Sequence, residues 1–228
     1  MSISETIGAF VGAMGEHHRY RSWEHCYGYF RKSGAKGISR DRDHAALQLG
    51  FYLASWGMYR GSSFLLQYDY TVHLGVIGRL LESHFSVLWE KDFDFGARAD
   101  DAKFVNVILD AVDAVRAAYR PFAPAAESRQ ATDTLVTKDL LGTLGCLPAC
   151  DRYFIDGFRH EGLSYYCVNR NFAERVLRFC QENLGVLLRE QKRIASHGGK
   201  HYPLMKLVDM HFWQIGYELD SKKRPRGR

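Results

Sequence analysis

The stretch of this sequence with the most chemistry in it runs from Thr132 to Phe154, where a predicted helix leads through glycines and a proline into a second predicted helix. Asp151 lies in the first turn of that second helix, three residues after Pro148. A carboxylate fixed at such a place can stabilise positive charge that develops on a substrate, and it can orient an attacking water. The same residue type also caps helices, so a purely structural role for Asp151 stays open.

Four residues near Asp151 in the sequence, three that precede it and one that follows it, suit contact with a nucleic-acid backbone. Glycine amides at Gly142 and Gly145, with the Lys138 ammonium, can hold phosphates, and Arg152 adds a further cation. The whole segment resembles the core of the helix-hairpin-helix DNA glycosylases, in which an Asp follows the hairpin at a helix start. It departs from the usual family hairpin because its glycines are three residues apart, its proline follows them, and no iron-sulfur cysteine cluster comes after.

The resemblance implies a DNA N-glycosylase that flips a damaged or modified base out of double-stranded DNA and hydrolyses its N-glycosidic bond, leaving an abasic site. Asp151 is then the catalytic carboxylate, and Lys138, Gly142, Gly145 and Arg152 contact DNA. Because Lys138 lies before the hairpin rather than inside it, a monofunctional hydrolase is expected, without strand-cleaving lyase activity. Repair and defence against phages with modified DNA are both compatible settings. No cofactor, no metal and no obligatory protein partner is expected.

A second segment, from Ala54 to Phe64, carries more polar and aromatic residues than helix packing requires. Aromatic rings can stack on a flat base, and hydroxyl or guanidinium groups can bind its edge. An alternative is a tight helix crossing that needs Gly57 and Gly61. The predicted base pocket consists of Trp56, Tyr59, Arg60, Ser62, Gln67 and Tyr153.

Two other functions compete with base excision. Arg19 and His25 are six residues apart, a spacing similar to the paired Arg and His of HEPN ribonucleases, which act on RNA phosphodiesters. The other rival is a non-catalytic helical module that binds nucleic acid or protein. Replacing Asp151 by Asn separates the three hypotheses, because only the glycosylase should lose its activity.

Charge and composition narrow the protein class. Lys and Arg number 31 against 26 Asp and Glu, and five of the cations lie in the last seven residues. The net charge of +5 therefore belongs to residues 221–228, which we expect to form a basic disordered tail. Five cysteines without a CxxC pair, and no signal peptide or membrane-spanning stretch, predict reduced thiols in a cytoplasmic protein.

The spacing of apolar residues predicts an all-α fold of about nine or ten helices, with residues 1–220 as one domain and a lobe boundary near 120–130. Predicted helices begin after Asp41 or Asp43, after Asp100 or Asp101, after Asn169 and after Pro203, the last ending near Leu219. Others span 71–89, 132–141, 149–158 and 184–194. His211, within the last helix, is interpreted as a hydrogen-bonded core histidine.

Overall fold

The computed structural model describes residues 1–90, 102–123, 131–198 and 200–223, and these residues form helices and loops with no strand. The α-helices are α1 (Ile3–Gly12), α2 (Arg21–Arg40), α3 (Arg42–Ser55), α4 (Leu74–Leu80), α5 (Ala102–Tyr119), α6 (Asp133–Thr143), α7 (Arg152–His160), α8 (Arg170–Glu182), α9 (Leu184–Gly198) and α10 (Leu204–Lys223). Short 3-10 helices span Phe64–Gln67, Tyr70–His73, Ser83–Trp89 and Arg120–Phe122. The all-α prediction is confirmed, with slightly more helical segments in the described ranges than expected.

Two helices form the centre of the fold. Every residue of α10 from Leu204 to Gly216 is buried, and so is every residue of α6 from Leu135 to Thr143. Apolar side chains from all ten α-helices join them in one continuous core. A helix buried on all sides has no polar face to give to solvent. The charged residues on α6 and α10 must therefore find partners inside the protein.

Helices α7 and α10 cross at backbone contact, and two glycines make this possible. A Cβ atom added at Gly157 would lie 1.9 Å from the carbonyl oxygen of Phe212, and one added at Gly216 would lie 1.9 Å from that of Tyr153. No side chain fits at either position. This crossing fixes the N-terminus of α7, where Asp151 lies, against the middle of α10.

Several predicted elements agree with the structure in place but differ in extent. Asp41 caps α3 and Asn169 caps α8, each accepting a hydrogen bond from a backbone N–H three residues on. The helix predicted over 71–89 is instead two 3-10 turns around the short α4. Helix α10 continues to Lys223, so the first three residues of the predicted tail are helical. Residues 124–130, at the predicted lobe boundary, Asp100 and Asp101, and residues 224–228 lie outside the described ranges.

Two sequence-level expectations about chemistry also agree with the structure. All five cysteines are free thiols, four of them buried and Cys167 exposed. His211 is buried, and its Nδ1 lies 2.7 Å from the hydroxyl of Thr6, which confirms a hydrogen-bonded core histidine. Among the described helices, none is both long and apolar enough to cross a bilayer.

Candidate active site

The turn between α6 and α7 places Asp151. Gly145 adopts a left-handed backbone (φ 65°) and donates its N–H to the carbonyl of Leu140 at 2.8 Å, which closes the end of α6. The chain then reverses, and Asp151 becomes the N-cap of α7 by accepting a hydrogen bond from the N–H of Phe154 at 3.1 Å. The capping role considered from sequence is therefore present, but it uses only one of the two carboxylate oxygens.

The second oxygen of Asp151 pairs with Lys138. The Lys138 Nζ atom lies 3.2 Å from Asp151 Oδ2, with the lysine side chain 3% exposed and the aspartate 18% exposed. The same ammonium lies 4.8 Å from the ring centroid of Trp56, within the range of a cation–π interaction. A carboxylate, an ammonium and a flat aromatic surface thus meet at one place that is partly open to solvent.

A second ion pair lies beside the first. Lys206 and Asp209 are three residues apart on α10, and Lys206 Nζ lies 2.7 Å from Asp209 Oδ2. The Lys206 ammonium is also 5.4 Å from the Trp56 ring centroid, so both lysines contact the same indole. Burial raises the pKa of Asp209, and the Lys206 ammonium opposes that shift.

These residues line a narrow crevice with an empty volume of about 190 Å³, whose walls also include Tyr52, Leu141, Ala149 and Trp213. We call it the crevice below. That volume counts all the space between the wall atoms, including open solvent, and it leaves no room for a water molecule. A ligand the size of a base therefore enters only if a wall residue moves. Trp56 Nε1 is buried in this wall and meets no acceptor within the described part of the chain.

Of the predicted site residues, the structure brings together Asp151, Lys138 and Trp56. Lys138 was expected to reach a DNA phosphate, but it lies inside the crevice against Asp151. Gly142 and Gly145 are buried: an added Cβ would lie 2.5 Å from the Tyr52 ring at the first and 2.8 Å from Pro203 at the second. The described structure gives both glycines a packing role, with their amides away from the surface.

The other predicted DNA and base contacts lie outside the crevice. Arg152 is exposed next to Asp151, 3.2 Å from the carboxylate of Asp220. Tyr153 packs edge-on against Trp213 and donates its hydroxyl to Asp220. Arg60, Ser62 and Gln67 are all exposed, because Gly57 (φ 77°) turns the chain away from the crevice directly after Trp56.

Tyr59 belongs to a different buried cluster, which we call the inner network. Its hydroxyl lies 2.7 Å from His73 Nε2, the His73 Nδ1 atom lies 2.7 Å from the Tyr119 hydroxyl, and Tyr119 donates to Asp139 Oδ1 at 3.3 Å. Burial lowers the pKa of His73 to about 3 and raises the pKa of Asp139 well above its usual range. Burial therefore favours the uncharged forms of His73 and Asp139.

Sequence reasoning missed Lys206 and Asp209, because the apolar spacing of the last helix was interpreted as core. The available signal was an opposite-charge pair at i,i+3 among the apolar residues that begin the last helix. On the same helix, Trp213 and Tyr217 stack at 5.1 Å.

The two residues proposed for a ribonuclease face different surroundings. The guanidinium of Arg19 is exposed and lies 5.7 Å from the Trp56 ring centroid, at the edge of the crevice. His25 is exposed on α2, in an open groove with Tyr29 and Phe51. Arg19 is therefore associated with the Lys138–Asp151 site, and His25 with a separate surface.

The chain matches no protein-family model, no curated protein and no solved structure. Within the described residues, no group of three or more His, Cys, Asp or Glu side chains is arranged to hold a metal ion. The geometry of the crevice is therefore the feature from which a function can be inferred.

Proposed function

We propose that the protein is a DNA N-glycosylase in which Asp151 is the catalytic carboxylate. The observation that carries the proposal is the Lys138–Asp151 pair, held beside Trp56 in a crevice that is partly open to solvent. Groups that pack for stability alone rarely include a buried charge pair, because desolvation offsets most of its attraction. Charged groups with defined partners at a solvent-accessible crevice are typical of catalytic sites.

The chemistry follows from the charge on Asp151. As the bond between sugar C1′ and the base nitrogen breaks, the base leaves with the electron pair and positive charge develops on the sugar. A fixed carboxylate stabilises that charge and accepts a proton from the water that attacks C1′. The N-cap hydrogen bond from Phe154 and the ion pair with Lys138 hold one oxygen each, so the orientation of the carboxylate is set before substrate binds.

Two exposed arginines next to residues of the crevice suit contact with the DNA backbone. Arg152 directly follows Asp151, and Arg19 lies at the Trp56 edge. Arginine binds phosphate with two parallel hydrogen bonds and retains its charge at any physiological pH. A flipped nucleotide between these two arginines would bring its C1′ atom toward Asp151 and its base toward Trp56.

Lys138 has a second possible role in the same site. As a free amine it could attack C1′ itself, form a Schiff base with the opened sugar and cleave the strand. We favour hydrolysis, because an ammonium paired with a carboxylate has no free electron pair for attack. The two courses are separated by borohydride, which traps a Schiff base as a covalent protein–DNA adduct and leaves a hydrolytic enzyme free.

The decisive experiment is an abasic-site assay on duplexes that contain normal, deaminated, alkylated, hydroxymethylated or glucosylated bases, followed by mild alkali. We expect strand breaks on one substrate with the wild type, and a loss of about 100-fold or more with Asp151→Asn. Asn caps a helix as well as Asp does, so this variant should keep the start of α7, and any loss of stability should come from the Lys138 ammonium that loses its carboxylate. Asp41→Asn, the same change at the cap of α3, is the matched control and should retain full activity.

Other outcomes would point elsewhere. Intact DNA across the whole panel, with RNA cleavage that His25→Ala removes, would replace this proposal by the ribonuclease. Steeply salt-dependent binding without any product would favour the non-catalytic module. Equal loss of activity and of folding in Asp151→Asn would assign the Lys138–Asp151 ion pair to the stability of the fold alone.

A further inference from the structure

The buried Lys206–Asp209 pair has no direct place in the chemistry proposed above, yet it occupies the first two turns of α10, where every residue is buried. The Lys206 ammonium lies 5.0 Å from the Trp23 ring centroid, 5.1 Å from Phe10 and 5.4 Å from Trp56, and its charge is neutralised by Asp209. Three aromatic faces and a carboxylate thus offset the desolvation of one ammonium. Replacement of such a pair by apolar residues of similar volume is often neutral or stabilising, so stability alone does not account for it.

Asp209 reaches beyond its own helix to the turn that carries Asp151. Its Oδ1 atom accepts a hydrogen bond from the N–H of Ala149 at 3.0 Å, while Oδ2 binds Lys206. Ala149 in turn accepts a hydrogen bond from the Asp151 N–H at 2.8 Å. One carboxylate therefore connects α10 to the backbone two residues before the catalytic candidate.

Helix α6 holds the same turn from the other side. Thr137 accepts a hydrogen bond from the Cys150 N–H at 2.8 Å, and Thr134 donates to the Cys150 carbonyl at 2.8 Å. The turn before Asp151 is thus fixed by side chains from both central helices. Of these side chains, Asp209 is the one that is also connected, through Lys206, to the Trp56 ring.

We infer that Asp209 is a positioning residue for Asp151, and that Lys206 serves to hold Asp209 and Trp56 in register. The inference rests on the proposed function, since it assigns a role within that reaction. A misplacement of about 1 Å at a reacting group costs up to about 100-fold in rate. Release of the Ala149 hydrogen bond should therefore reduce kcat and leave substrate binding nearly unchanged.

Two double variants test the inference without leaving a buried charge unpaired. Lys206→Met with Asp209→Asn removes both charges but keeps an oxygen that can accept from the Ala149 N–H. Lys206→Met with Asp209→Leu removes the charges and the acceptor. We expect kcat within about threefold of wild type for the first and a loss of about tenfold or more for the second, with KM changed less than about threefold in both. Equal kcat in the two variants, or a loss confined to KM, would overturn the inference.

A measurement on the wild-type protein covers the case in which either variant fails to fold. The Ala149 amide should exchange with deuterium as slowly as the most protected amides of α10, because its acceptor is buried. Fast exchange of this amide would show that the hydrogen bond to Asp209 is absent and would overturn the inference. Wild-type protein that releases no base from any duplex would instead remove the proposed function, whatever the exchange rate.

Discussion

Lys138 and Asp139 are neighbours on α6, yet they face two different buried polar regions. Lys138 enters the crevice, where each of the two ammoniums has a carboxylate. Asp139 enters the inner network, where its Oδ1 accepts from Tyr119 and its Oδ2 is buried without a hydrogen-bond partner in the described residues. Charged side chains are therefore paired with each other on the crevice side of α6, whereas burial favours uncharged forms on the side of the inner network.

The inner network shows how burial removes charge. Since Tyr119 donates its hydrogen to Asp139, its oxygen accepts from the Nδ1–H of His73, and the Nε2 of His73 accepts from the Tyr59 hydroxyl. Tyr59, His73 and Tyr119 are each hydrogen-bonded in their neutral forms, while Asp139 uses one of its two oxygens. Burial also raises the pKa of Tyr59 to about 12. The crevice differs because it supplies a counter-ion and an opening to solvent, and these are the conditions in which a charged group can act on a substrate.

The largest effect on stability should come from a substitution at the crossing of α7 and α10. Gly216→Ala places a methyl group against the backbone of Tyr153, where neither helix can yield locally. We expect a loss of about 3 kcal/mol or more in the free energy of unfolding, measured by urea denaturation. Gly28→Ala on α2, where an added Cβ meets nothing within 4 Å, is the control and should be neutral or slightly stabilising. Equal effects of the two substitutions would refute the backbone contact.

The next effect concerns the cation of the crevice. Lys138→Met removes the partner of Asp151, and we expect base release to fall by about 100-fold, because the carboxylate loses the bond that orients it. Stability should fall by only about 1–2 kcal/mol, since Asp151 is partly exposed and can bind water instead. Lys36→Met, an exposed site on α2, should change neither quantity. Unchanged base release in Lys138→Met would separate Lys138 from the chemistry.

A smaller effect, and of the opposite sign, is expected at the neighbouring residue. Burial favours the protonated form of Asp139 in the folded protein, whereas the unfolded chain ionises above about pH 4, so this residue lowers stability as pH rises. Asn does not titrate. The stability of Asp139→Asn relative to wild type should therefore increase as the pH is raised from 5 to 7, with base release retained. Parallel stability curves for the two proteins would contradict a protonated Asp139.

The smallest effect belongs to His73. Its pKa is lowered to about 3 in the folded protein, so its contribution to stability is complete above pH 6.5 and declines as pH falls toward 3. His73→Gln should lack that decline. Between pH 6.5 and pH 5.5 we expect wild type to lose about 1 kcal/mol relative to the variant, measured by denaturation at each pH. A gap independent of pH in that range would mean that His73 takes up protons equally in the folded and unfolded states.

The sequence predicted those parts of the fold that local patterns determine. Asn169 predicted the start of α8 and Asp41 that of α3, because a capping side chain and the apolar spacing that follows it lie within a few residues. Helix α2 was not anticipated, since three glycines interrupt its pattern and Gly34 adopts φ 59° inside it. The helix is stabilised by the packing of Trp23 and Phe30 in the core, and a local sequence pattern does not predict such tertiary contacts.

The candidate site was predicted in part for the same reason. Asp151 and Lys138 lie on one supersecondary unit, so their proximity could be suspected from spacing. The contact of Trp56 with both lysines depends on how α3, α6 and α10 pack together, and Tyr59 reached a different cluster only three residues later. Local sequence does not determine that Trp56 and Tyr59, only three residues apart, join two different polar clusters.

The glycine crossing between α7 and α10 also sets how far Asp151 and Asp209 lie from the point where the two helices meet. Gly216 follows Asp209 by seven residues, about 10 Å along the helix, and Gly157 follows Asp151 by six, about 9 Å. Each carboxylate is thus set at a fixed distance from one point where neither helix can slide or rotate. A single residue inserted between Asp209 and Gly216 would turn Asp209 by about 100° away from Ala149 while the core composition stayed the same. The spacing between these glycines and carboxylates is therefore as much a part of the site as the side chains themselves.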